Sequence, residues 1–293
     1  MHATMDEVVI KKADVLIEAL PYIQSYYGKT IVIKYGGAAM TDKNIRRNVL
    51  RDIVFMNYVG MRPILVHGGG PSASARLKEL GREITFVNGY RITDKETMEV
   101  VESEFMKINA EIVQELTALG SAAISLSGKE DRFIEVVKHP DIMGKDIGFV
   151  GDIKKINGDV LQKIIASDII PVIPPIGIGV KDNLPYNINA DQVAAEIARS
   201  LGAVKFVVLT NVKGIMKDVN DASSFLANVN AEEAAAMIKS GVISGGMIPK
   251  VNACLRALDR GVKKAHIIDV QIPHGILMEI FTDEGIGTEI VRK

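Results

Sequence analysis

Two β-branched runs, Thr30-Ile31-Val32-Ile33 and Pro63-Ile64-Leu65-Val66, each stop at a glycine cluster. The clusters are Lys34-Tyr35-Gly36-Gly37 and His67-Gly68-Gly69-Gly70-Pro71, and amphipathic stretches follow both. The same alternation continues along the chain. Candidate strands at 30–34, 62–67, 122–125, 169–174, 205–209 and 265–269 lie between helical patterns at 44–59, 72–80, 95–119, 191–201, 231–240 and 250–260. Strands separated by helices cannot pair as hairpins, which predicts an α/β fold: three layers, αβα, around a mainly parallel open sheet. Ligands of such sheets bind beyond the carboxyl ends of the strands, where both glycine clusters fall. Segment 129–157 breaks the rhythm, and 146–152 within it reads as a hairpin or small antiparallel flap.

A chain of 293 residues is long enough for a substantial core. Its net charge of −1 gives no sequence-wide field toward nucleic acid or an acidic membrane, and neither is an expected partner. Cys254 is the only cysteine, so an internal disulfide is excluded and a reducing compartment fits. Asp6, Glu7, Lys11, Lys12, Asp14 and Glu18 interrupt any apolar leader, and the longest apolar runs are of strand length. The expectation is a cytoplasmic protein. The first 29 residues read as a separate arm, with Val9, Ala13, Leu16, Leu20 and Ile23 on one stripe and Pro21 kinking the helix. This arm either lies on its own domain or reaches another subunit.

Glycine at a strand tip lets backbone N–H groups approach a phosphate. Gly245-Gly246-Met247-Ile248-Pro249-Lys250 is a third motif of this type. Two lysines, Lys34 and Lys250, and one carboxylate, Asp191 in Asn187-Ile188-Asn189-Ala190-Asp191-Gln192, supply the charges that phosphoryl transfer needs. Each has a plainer reading: Lys34 as a strand-end lysine, Lys250 as a solvated first-turn residue, Asp191 as a helix-start carboxylate capped by Asn189. His67 reads as a hydrogen-bonded strand terminus rather than a base. Gly68–Ala73 also satisfies a relaxed dinucleotide fingerprint, but no acidic residue follows where a ribose would need one. That region carries Asn88-Gly89-Tyr90-Arg91 instead, and the Arg91 fork suits a carboxylate.

Taken in order, these motifs resemble the amino acid kinase superfamily and, within it, the acetylglutamate kinases. The resemblance runs from about Leu16 to Val291. It implies a substrate-binding lobe over 30–200 and an ATP-binding lobe over 201–293. By that resemblance Lys34 and Lys250 flank the transferring phosphoryl group and Asp191 holds both lysines. Gly36, Gly37, Gly69, Gly70, Arg91, Asn187 and Asn189 bind N-acetyl-L-glutamate, with Arg91 on its α-carboxylate. Thr210, Asn211, Val212, Lys213, Gly214 and Ile215, with Val242, Ile243 and Ser244, form the nucleotide loop. Asn211 departs from the aspartate that many members carry. ATP enters with Mg²⁺ held mainly by the nucleotide, and no protein metal site is expected.

The chemistry agrees with this. A substrate carboxylate with a pKa of about 4.3 is already ionised at neutral pH and needs no protein base. The implied reaction is phosphorylation of that carboxylate, the second step of arginine synthesis by the acetylated route. The rivals are an acetylaminoadipate kinase, an NAD-dependent dehydrogenase and a non-catalytic amino-acid sensor. The chain ends also resemble the arginine-inhibited members, which are hexamers built as trimers of dimers. This makes Tyr22, Lys213, His274, Glu279, Glu284, Gly285 and Gly287 effector candidates for L-arginine, with Glu279 or Glu284 facing its guanidinium.

Overall fold

The computed structural model describes residues 5–37, 40, 42–259, 261–282 and 285–293, without the side chains of residues 5–9, 11, 12 and 131. Glu284, Arg260 at the end of the expected 250–260 helix, and the Val9 side chain of the N-terminal stripe fall outside the described residues.

In chain order the elements are α1 (Met5–Tyr26), β1 (Thr30–Tyr35), α2 (Lys43–Tyr58), β2 (Arg62–His67), α3 (Gly70–Glu79), β3 (Phe86–Val87), β4 (Tyr90–Arg91), α4 (Lys95–Ala118), β5 (Ala123–Ser125), β6 (Ile134–Lys138), β7 (Gly151–Ile156), α5 (Gly158–Ala166), β8 (Ile170–Ile173), β9 (Ile176–Gly179), β10 (Pro185–Asn187), α6 (Ala190–Ser200), β11 (Lys205–Thr210), β12 (Asn228–Asn230), α7 (Ala231–Lys239), α8 (Met247–Asp259), β13 (Lys264–Asp269), α9 (Gly275–Ile280) and β14 (Thr288–Val291). The main sheet has eight strands in the order β12-β14-β13-β11-β1-β2-β8-β5. Strands before residue 200 fill one half and strands after it the other, with β1 and β11 meeting in the middle. The strands from β13 through β5 are mutually parallel, and β14 is antiparallel to β13.

Burial on both faces explains the unbroken apolar runs of β1 and β2. Side chains alternate across the sheet, so Val32 packs into one core cluster while Ile31, Ile33 and Tyr35 pack into the other. One cluster lies under α5, α6, α7 and α8, and the other under α2, α4 and α9. Period-2 alternation also puts Lys34 on the Val32 face, the face that α6 covers.

The expected flap is larger and built differently. β6 and β7 pair antiparallel and join β9 and β10 in a four-stranded second sheet. Residues 147–149 do not close a hairpin on themselves. Thr93 N donates to the Ile147 carbonyl at 3.0 Å, Phe149 N to the Thr93 carbonyl at 2.6 Å, and Asn187 N to the Phe149 carbonyl at 2.9 Å. This segment therefore ties the end of the β3–β4 hairpin, which carries Arg91, to β10, which ends in Asn187.

α1 runs through Pro21 as one helix. Most of its stripe is not covered by the rest of the chain. Of the stripe, Ala13, Leu16 and Leu20 are exposed, Leu16 at 68%, and beside it Val15 and Ile17 are 63% and 68% exposed. Among its described side chains the packing contacts come from the last turns: Tyr22 meets the Phe281 ring edge-on at 6.3 Å, and Tyr26 joins the α2/α9 cluster.

Candidate active site

The site assembles because β1 and β2 are parallel neighbours in register. Tyr35 pairs with His67, so the two glycine clusters emerge side by side at the same sheet edge. Gly68 N donates to the Tyr35 carbonyl at 2.8 Å and locks the two tips together. A Cβ on Gly69 would fall 2.4 Å from the Phe105 ring, and one on Gly36 would fall 2.9 Å from Lys34 Nζ. Glycine at 69 is thus a packing requirement, whereas a side chain at 36 would push the Lys34 ammonium from its place.

Lys34 and Asp191 are each 7% exposed and form an ion pair, Nζ to Oδ1, at 2.9 Å. Asp191 stands in the first turn of α6, whose N-cap is Asn189. The Asn189 side chain accepts from Asp191 N at 2.8 Å and Gln192 N at 3.3 Å. Capping and site-building thus coexist in one segment, as the motif allows. Lys250, in the first turn of α8, donates to the Gly246 carbonyl at 2.9 Å rather than pairing with Asp191 directly. Burial lowers its pKa, the Asp191 charge raises it and the Lys34 charge lowers it further. The expectation that Asp191 holds both lysines is therefore corrected: it pairs with Lys34 and acts on Lys250 through its field.

A cavity of about 230 Å³ is lined by Lys34, Gly37, Gly69, Gly70, Arg91, Asn187, Asn189 and Asp191, among others. Of the residues proposed for substrate, Gly36 does not line it and instead leaves room for the Lys34 ammonium. Arg91 donates from Nη2 to the Gly70 carbonyl at 3.0 Å and to Ser74 Oγ at 2.7 Å, and its guanidinium lies over the Phe86 ring. Its Nη1 is buried without a hydrogen-bond partner among the described residues. A buried guanidinium with one edge oriented and the other unmatched is prepared for an anion. The sequence reading missed Ser74 and Phe86 as the orienting groups.

A second cavity, of about 330 Å³, is lined by Thr210, Asn211, Val212, Gly214, Ile215, Val242, Ile243, Ser244 and Lys250. It also takes in Gly246 and Met247 of the third glycine motif, and Met216 and Val219, which the sequence reading did not single out. Lys213 is the exception in the nucleotide loop. It does not line the cavity, and its ammonium lies 4.6 Å from the Phe225 ring centre. Between the two cavities, an open cleft of about 740 Å³ is bordered by Asn88, Tyr90, Gln192, Lys250, Asn252 and Arg256. Lys250 borders both the cleft and the second cavity.

The effector candidates are only partly brought together. Glu279, Gly285 and Gly287 cluster, since the Glu279 carboxylate accepts from Ile286 N at 2.8 Å and Gly287 N at 3.0 Å and meets His266 Nδ1 at 2.6 Å. Burial pushes the Glu279 pKa up, but the His266 bond and charge and the two amides outweigh it and hold it at about 2. Glu279 is thus no open acceptor, and a guanidinium would have to displace one of these partners. His274 begins α9 and is turned to Asp52 of α2, Nδ1 to Oδ1, at 2.6 Å. Tyr22 touches the same segment through Phe281.

An open parallel sheet, glycine strand tips beside a buried Lys–Asp pair, and a second cavity bordered by another lysine define a phosphoryl-transfer class of site. The chain belongs to the amino acid kinase family, which residues 29–269 match. An acetylglutamate kinase of Moorella thermoacetica is 48% identical over 290 residues, covering 96% of this chain and 98% of its own. An acetylglutamate kinase of Thermoanaerobacter pseudethanolicus is 50% identical over 285 residues, covering 97% and 94%. The fold is shared with the N-acetylglutamate synthase of Neisseria gonorrhoeae, at a TM-score of 0.84 and 24% identity. That match covers 96% of this chain and 63% of the synthase. No helix among the described residues is long and apolar enough to cross a membrane.

Proposed function

We propose that this chain transfers the γ-phosphoryl group of ATP to the side-chain carboxylate of N-acetyl-L-glutamate, a step of arginine biosynthesis. The observation that carries the reading is the Lys34–Asp191 pair in one cavity with Arg91, whose Nη1 awaits an anion. The near full-length likeness to acetylglutamate kinases supports it. Residues 30–200 are the substrate lobe and 201–293 the nucleotide lobe, with ATP in the 330 Å³ cavity.

In this reading Arg91 holds the α-carboxylate of the substrate and leaves its side-chain carboxylate facing Lys34. A carboxylate oxygen attacks the γ-phosphorus as the bond to the β-phosphate oxygen breaks and ADP departs. No proton moves, so alignment and charge stabilisation carry the catalysis. Lys34 neutralises oxygens on the acceptor side and Lys250 on the nucleotide side. Among the described residues no cluster of His, Cys, Asp or Glu could hold a metal ion, and Asp191 is engaged by Lys34. This donor set fits phosphate oxygens rather than a cation, so Mg²⁺ would ride on the nucleotide, where it neutralises phosphate charge.

The test is ADP release with acetylglutamate, acetylaminoadipate, aspartate and glutamate in parallel. Acetylglutamate is expected to be preferred over acetylaminoadipate by roughly 10–200-fold, the worth of one methylene. A preference for any other acceptor would overturn the reading. Arg91→Lys is expected to raise KM for acetylglutamate far more than for ATP, because a point charge replaces a fork already oriented by Gly70 and Ser74. Equal effects on both substrates would remove Arg91 from the carboxylate.

The same reading includes feedback inhibition by L-arginine and a hexamer of three dimers. Its support is the uncovered apolar surface of α1 together with the clustering of Glu279, Gly285 and Gly287 beside the segment that α1 touches. An apolar helix face left open by its own chain is a surface for another subunit. Inhibition requires arginine to favour an inactive state over an active one. The intact chain should scatter light as a hexamer and be inhibited by arginine, and deletion of residues 1–26 should abolish both. A dimer indifferent to arginine would refute this part.

A further inference from the structure

His67 takes no part in the chemistry above, yet it is fully buried and bonded at both ring nitrogens. Asn109 of α4 donates from Nδ2 to the Val172 carbonyl of β8 at 2.9 Å, and the same Nδ2 lies 3.1 Å from His67 Nε2. A carbonyl only accepts, so the amide nitrogen of Asn109, not its oxygen, must face Val172. The second Nδ2 hydrogen then faces Nε2, which must be the accepting, unprotonated nitrogen. The ring proton therefore sits on Nδ1, where it donates to the Gly68 carbonyl at 2.7 Å. One tautomer satisfies the whole chain of bonds from β8 through α4 to the glycine turn.

The consequence follows from peptide geometry. The Gly68 carbonyl and the Gly69 N–H belong to one planar trans unit and point in opposite directions. Gly68 N is fixed by the Tyr35 carbonyl, so His67 settles the remaining freedom of the next peptide. We infer that His67 and Asn109 are positioning residues: they hold the Gly68 carbonyl toward the buried ring and so aim the Gly69 N–H into the substrate cavity. Gly69 lines that cavity, and an N–H set before the reaction stabilises developing phosphoryl charge without reorganising. Burial keeps the ring neutral, pushing its pKa down to about 4, with the Gly68 bond opposing and the Arg46 charge reinforcing the shift. Arg46 of α2 is the charged group that acts on the ring, and it is itself paired with Glu111 and Glu115 of α4. The functional consequence rests on the phosphoryl-transfer reading, while the tautomer does not.

Nitrogen-15 NMR of the histidine-labelled full chain reads the tautomer directly, with the His67 signal assigned by its loss in His67→Asn. The expected signal is a neutral ring protonated on Nδ1 at neutral pH, and a proton on Nε2 would overturn the inference. Asn109→Leu, which removes the donor, should let the Nε2–H tautomer appear. The kinetic arm uses a matched pair. His67→Asn keeps an amide nitrogen at the Nδ1 position, whereas His67→Gln moves it to the Nε2 position and leaves the Gly68 carbonyl without its donor. At similar thermal midpoints, kcat should fall about 10–100-fold further in the Gln variant than in the Asn variant. Equal losses would overturn the positioning role. A wild-type chain without kinase activity would instead sink the functional reading and leave the tautomer result standing.

Discussion

Lys34→Ala is expected to lower kcat by roughly 10²–10³ while KM for both substrates changes little. Charge on the transferring oxygens grows mainly in the transition state, so a cation aimed at them acts on rate more than on binding. Burial strengthens the effect, because Lys34 is 7% exposed and little water is present to substitute for it. The substitution also strips Asp191 of its partner at 2.9 Å, so thermal midpoints should be measured beside the kinetics. A near-wild-type kcat would remove Lys34 from the chemistry. A loss confined to KM would recast it as a binding residue.

Asp191→Asn should be comparably slow, and it should leave a second signature. Asparagine keeps the shape, and the Asn189 cap survives because its bonds go to backbone amides. What disappears is the negative charge between two cations. Asp191 raises the Lys250 pKa against burial and against Lys34. Without that charge Lys250 releases its proton at lower pH. A lysine that must be charged supports activity below its pKa and loses it as pH rises through that value. The alkaline limb of kcat in Asp191→Asn should therefore move to lower pH than in the wild type. An unmoved limb would show that Asp191 does not act on Lys250.

Where the sequence was informative, a physical rule tied neighbouring residues together. β-branched runs ending in glycine identified β1 and β2, and parallel adjacency then forced Gly36 and Gly68 together, as the Tyr35–His67 register confirms. Asn189 two residues before Asp191 was readable as a cap because capping is local. Contacts made across long separations were not readable. Ser74 orients Arg91 from a helix 17 residues earlier, and Asn109 reaches His67 from 42 residues away. β6 and β7 mix charged with apolar residues, β9 alternates isoleucine with glycine and β10 has three residues, so their sheet left no clear strand pattern in the sequence. α5 was missed because its nine residues follow directly on the break at 129–157, and α9 because its six residues are too few to show a period. Glu279 looked open to a guanidinium because its partners, His266 and the amides of Ile286 and Gly287, meet it only in the folded chain.

The central claim is that a carboxylate is the phosphoryl acceptor. Hydroxylamine trapping tests it, because an acyl phosphate yields a hydroxamate and other phosphorylated products do not. The purified chain with ATP, Mg²⁺ and N-acetyl-L-glutamate should form acetylglutamyl hydroxamate in step with ADP, and Lys34→Ala should form almost none. ADP release that is independent of acetylglutamate, or that leaves no hydroxamate, would contradict the account.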